Sequence, residues 1–67
     1  MKHKSQTTLK KQNDIIAIAS IKGCIEKDDI KTAVDIAEKR KFTPEQFGKI
    51  SHMTELSAEE IYKKVLA

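Results

Sequence analysis

Phe42-Thr43-Pro44-Glu45-Gln46-Phe47 and, fourteen residues on, Leu56-Ser57-Ala58-Glu59-Glu60-Ile61 decide how this chain folds. Each is a helix start. Thr43 and Ser57 supply hydroxyls that accept from an orphan backbone N–H. Gln46 and Glu60, three residues later, reach back toward the cap, which is the capping-box pattern. Pro44 stands at the first helical position, where its missing N–H costs nothing. Phe42 with Phe47, and Leu56 with Ile61, have the spacing of hydrophobic staples. Two helices follow, over about 44–53 and 58–66, with Thr54 to Leu56 as the link.

Outward from these starts the pattern remains helical. Residues 29–41 carry Ile30, Ala33, Val34 and Ala37 at i, i+3, i+4 and i+7, a stripe expected to be buried. Asp28 is the expected N-cap, and Lys39, Arg40 and Lys41 complement the negative end of the helix dipole. Residues 14–25 carry Ile15, Ile18, Ile21 and Ile25, widened by Ile16, Ala17 and Ala19. A helix apolar over most of its surface is expected at the centre of a bundle or with a partner on its second face, capped here by Asn13 or Asp14. No stretch alternates as a half-buried strand does. The expected fold is all-α: a compact bundle of four short helices, about 14–25, 29–41, 44–53 and 58–66.

The 67 residues bound one domain, over 14–67. The net charge of +3 divides unevenly. Lys2, Lys4, Lys10 and Lys11 give residues 1–13 a charge of +4 with no acid, while 14–67 carry nine basic and ten acidic side chains. With Leu9 as its sizeable apolar residue besides Met1, the 1–13 segment is expected to be a disordered basic tail. No apolar run approaches the ~20 residues of a membrane span, and no secretory leader is expected. One cysteine makes no internal disulfide, so a reducing, cytoplasmic setting is expected.

Chemistry-bearing clusters are sparse. Cys24, His3 and His52 lack the paired spacing of a metal site and read as a buried thiol and two surface histidines. Asp28-Asp29 and Glu59-Glu60 are adjacent on helices, so each pair diverges by about 100° and reads as first-turn charge. No phosphate loop or nucleophile elbow occurs. The expectation is a non-enzyme without cofactor, metal or small-molecule substrate.

The segment from Ile50 to Ile61 resembles the helix-turn-helix pattern of small DNA-binding domains. Small Ser51 stands at the crossing, Leu56 follows the turn, Ser57 caps the second helix, and Ile61 and Val65 seat it. Glu55 stands where such turns usually place a left-handed glycine. Val34 to Val65 is also similar to the helical tails of transposase-like nucleases, through Thr43, Glu45, Phe47, Thr54, Leu56, Ser57, Glu59, Glu60 and Ile61. The nuclease core is absent, so that activity does not carry over.

The resemblance implies a small regulator that binds nucleic acid. Ser57, Tyr62 and Lys63 would lie toward a groove. Lys49, the Lys39-Arg40-Lys41 cluster, Lys10 and Lys11 would contact phosphate. Glu59 is an unfavourable neighbour for phosphate. The alternative is a protein-interaction module, such as a phage- or plasmid-type inhibitor, antitoxin-like factor or assembly subunit, using Ile16, Ile36 and Leu66 against a partner or a second copy as a homodimer. One shared basic face would favour DNA; mixed charge beside an open apolar patch would favour protein.

Overall fold

A computed structural model describes residues 2–67, with side chains from Leu9 onward. It has four helices: α1 Lys2–Glu26, α2 Ile30–Lys39, α3 Pro44–His52 and α4 Ala58–Val65. The all-helical architecture and the central place of the isoleucine-rich helix agree with the sequence. α1 packs against all three others, and α3 also packs on α4. Ile18 and Ile21 of α1, Ala33 and Ala37 of α2, Ile50 of α3 and Ile61 of α4 form the buried core. Phe42, Phe47, Leu56, Tyr62 and Val65 pack around it.

The first helix differs from expectation at its start. The tail expected over residues 1–13 falls outside the fully described residues as far as position 8, but residues 9–13 are helical and continue α1. The physical reason is Asp14. It is not a cap: it lies inside the helix, is 4% exposed, and holds Lys10 one turn earlier. Lys11 also sits over the Tyr62 ring of α4 at 5.9 Å, a contact worth roughly 0.5–1 kcal/mol at a surface. Lysine and glutamine are good helix formers, so these anchors suffice to extend the helix.

The first two helix ends share one device. Asp28 and Lys41 both have φ 63°. Asp28 N–H donates to Ile25 O and Asp29 N–H to Cys24 O; Lys41 N–H donates to Glu38 O and Phe42 N–H to Ala37 O. Each pair of crossed bonds is a Schellman motif, which satisfies carbonyls that the helix leaves open. The expected cap Asp28 is therefore displaced: it forms the left-handed stop of α1, and Asp29 caps α2 by accepting from Thr32 N–H. Because an L side chain is strained at positive φ, Lys41→Gly is expected to raise stability by about 0.5–1 kcal/mol in urea denaturation. An unchanged or lower midpoint would show that the lysine charge at the helix end outweighs the backbone strain.

The start of α3 is as the sequence implies; at α4 Ser57 is the cap, but the expected box is half made, because the Glu60 carboxylate meets the Ser57 hydroxyl and not its backbone N–H. Thr43 accepts from Gln46 N–H at 3.1 Å, and Gln46 Oε1 accepts from Thr43 N–H at 2.9 Å, the complete capping box. Ser57 accepts from Glu60 N–H at 3.2 Å. The turn between these helices closes with Leu56 N–H donating to Met53 O. Glu55 does not occupy the left-handed region, so this turn makes no use of the conformation that glycine would serve.

Candidate nucleic-acid and partner interfaces

Antiparallel packing of α1 and α2 brings the end of α2 to Asp14. Arg40 donates to Asp14 Oδ1 through Nε at 3.0 Å and Nη2 at 2.5 Å. Lys10 Nζ donates to Oδ2 at 3.2 Å. Both carboxylate oxygens thus have cationic partners, which is the condition for keeping an ionised group out of water. Lys10, Lys11, Arg40 and Tyr62, from three helices, meet at this end of the bundle.

Several of these cations have carboxylate or aromatic partners within the molecule, although the Lys10 and Lys39 side chains stay mostly exposed. Arg40 and Lys10 share Asp14, Lys39 pairs with Asp35 at 3.2 Å, and Lys11 lies on Tyr62. The Lys41 backbone is the left-handed stop of α2, and its side chain is exposed with no salt bridge among the described residues. Lys49 on α3 and Lys63 on α4 are exposed and make no salt bridge among the described residues. The Ser57 hydroxyl is committed to its cap, and Tyr62 is half-buried against the core. The α3–α4 turn and the first turn of α4 expose Glu55, Glu59 and Glu60. Where a recognition helix would meet DNA, this one presents carboxylates, which repel phosphate.

Apolar side chains also reach the surface. Leu9 and Ile16 are 57% and 63% exposed, and seven residues apart they share one face of α1, opposite Ile18 and Ile21. Ile30 and Val34 are 45% and 36% exposed on α2. The stripe expected to be buried on α2 is therefore rotated. Ala33 and Ala37 lie against α1, half-buried Ile36 joins them, and Ile30 and Val34 fall at the edge. A ten-residue helix that packs chiefly on one neighbour buries a single narrow line, and the two alanines permit that close approach. Of the apolar residues expected to meet a partner, Ile16 stands free, whereas Ile36 and Leu66 lie partly buried against the core.

Val34 belongs to a groove between α2 and α3 of about 390 Å³, lined by Val34, Ala37, Glu38, Phe42, Thr43, Pro44 and Phe47. Its walls are mostly apolar, with one carboxylate. Among the described residues no cluster of three His, Cys, Asp or Glu side chains is arranged to hold a metal ion, and no helix is long and apolar enough to cross a membrane. Cys24 is a free, half-buried thiol. Comparison with known proteins finds no matching family model, no matching curated protein and no matching solved structure.

Proposed function

We propose that this chain is a non-enzymatic protein-interaction module that works through the apolar faces of α1 and α2. The observation that carries this reading is the exposure of Ile16, on the face of α1 opposite the core, and of Val34, at the edge of the α2 face that packs on α1. A chain with so small a core gains by burying its large aliphatic side chains; leaving four at the surface favours their burial against something else.

Nucleic-acid binding by α3 and α4 is the second reading, supported by exposed Lys49 and Lys63 and by the resemblance of the 50–61 segment to helix-turn-helix proteins. The mixed charge around Asp14 and Asp35 and the acidic first turn of α4 weigh against it. Retention on duplex DNA separates the two. A protein-interaction module is expected to show at most weak retention that vanishes between low and physiological salt and is indifferent to duplex sequence. Sequence-selective retention at physiological salt, lost in Lys49→Ala with Lys63→Ala, would overturn the proposal in favour of the second reading.

A further inference from the structure

We propose that the α2–α3 groove is a docking site for a lysine-bearing helix with an exposed aliphatic side chain, and that a second copy of this chain supplies it. Each copy's α1, at Leu9, enters the other's groove about a two-fold axis. This deepens the interaction-module reading and rests on it.

Three observations select this occupant. The first is charge. The groove has Glu38 in its wall, and exposed Glu45 follows Pro44 at its rim. The 1–13 segment carries four lysines and no acid. Lys10 keeps 75% of its side chain exposed while it bonds Asp14, so its charge still acts outward. The second is apolar fit: Leu9 is an exposed aliphatic knob, and the groove beside Val34 is an apolar recess of a size to take it.

The third is position. Arg40 on Asp14 sets the end of α2 beside the middle of α1, and Phe42, Thr43 and Pro44 follow at once. Leu9 lies five residues before Asp14, roughly 7.5 Å along the helix. Knob and groove therefore belong to the same end of the molecule, as a reciprocal exchange about one two-fold axis requires. Yet Leu9 is on the face of α1 turned away from the core, and α1 is one continuous helix. It cannot turn Leu9 into its own groove, so the knob has to come from another copy.

The contact is small, which places the association in the weak class of interfaces. Sedimentation equilibrium of the full chain at low salt, from about 10 μM to 1 mM, spans that class. The expected average mass rises from that of the 7.6 kDa chain toward twice that value. Leu9→Lys and Val34→Asp each hold it at the single-chain value with helicity retained. The double variant Leu9→Lys/Val34→Asp pairs lysine with carboxylate in both contacts and recovers association above either single variant.

A wild-type chain that stays monomeric throughout would overturn self-docking. Dimers that survive Val34→Asp would overturn the groove as the site, and a double variant no better than the singles would overturn the pairing of Leu9 with Val34. The wider reading fails separately. A monomeric chain that still forms a Val34-dependent complex with a different protein loses only the second-copy occupant, whereas a chain forming neither complex loses both.

Discussion

Ile21→Ala is expected to unfold most of the molecule. Ile21 is fully buried on the one helix that touches all the others, so its truncation opens a cavity at the junction of the bundle. Large-to-alanine changes at such sites cost about 2–5 kcal/mol. A single core in a chain of this length supplies roughly 3–5 kcal/mol in total, with no disulfide to add to it. The loss therefore matches the whole stability. Far-ultraviolet circular dichroism at room temperature should show a largely disordered Ile21→Ala and a helical Ile16→Ala. The latter removes an exposed side chain and should cost within about 0.5 kcal/mol. Equal losses from the two would mean that α1 is not seated as described.

Arg40→Ala is expected to cost about 2–3 kcal/mol, the second largest effect, because it strands a buried carboxylate. Asp14 would keep only Lys10, whose long side chain is mostly in water, which sets the figure below that for a wholly buried pair. The neighbouring Lys39→Ala is the control. Its pair with Asp35 is exposed on both sides and should contribute close to nothing. Urea midpoints of the two variants against wild type measure the difference. A similar small loss in both would show that water reaches Asp14 in solution and that the Arg40 bridge is ornamental to the fold.

The parts of this fold that are written locally are legible in the sequence. Thr43 with Gln46, and Ser57 with Glu60, announce the starts of α3 and α4, since a cap uses only neighbouring atoms. The central role of α1 follows from isoleucines around most of its circumference. What depends on tertiary partners is harder to read. Asp14 looks like a cap when only the next few residues are considered. Its place four before Ile18 and seven before Ile21 puts it on the buried stripe, and a carboxylate on a buried stripe implies a cation from elsewhere; here that cation is Arg40. Without that partner in view, α1 reads as starting at Asp14 and residues 9–13 read as tail. The buried face of α2 is hard to read from the sequence for a related reason. Periodicity places Ile30, Ala33, Val34 and Ala37 together, but only packing decides which edge of a broad stripe meets α1.

The candidate sites divide in the same way. Exposed Ile16, Lys49 and Lys63 are found where helical spacing puts them. The basic cluster at Lys39 to Lys41 reads as a phosphate surface from the sequence, yet Lys39 and Arg40 are engaged by carboxylates one turn and one helix away. Sequence distance hides the second of these, because Asp14 and Arg40 stand 26 residues apart. The acidic first turn of α4 was legible from Glu59 and Glu60 directly, and it remains the plainest argument against a DNA-reading helix.

Affinity capture at physiological salt, using the full chain beside its Ile16→Asp, Val34→Asp and Lys49→Ala/Lys63→Ala variants, tests the central claim most directly. Each bait is first checked for wild-type helicity, and the mass of every stoichiometric companion is determined. The account predicts a companion retained by wild type and by the lysine variant: a protein lost with Ile16→Asp or Val34→Asp, or a second copy of the chain lost with Val34→Asp. Nucleic acid as the companion, lost in the lysine variant and kept by both aspartate variants, would contradict it.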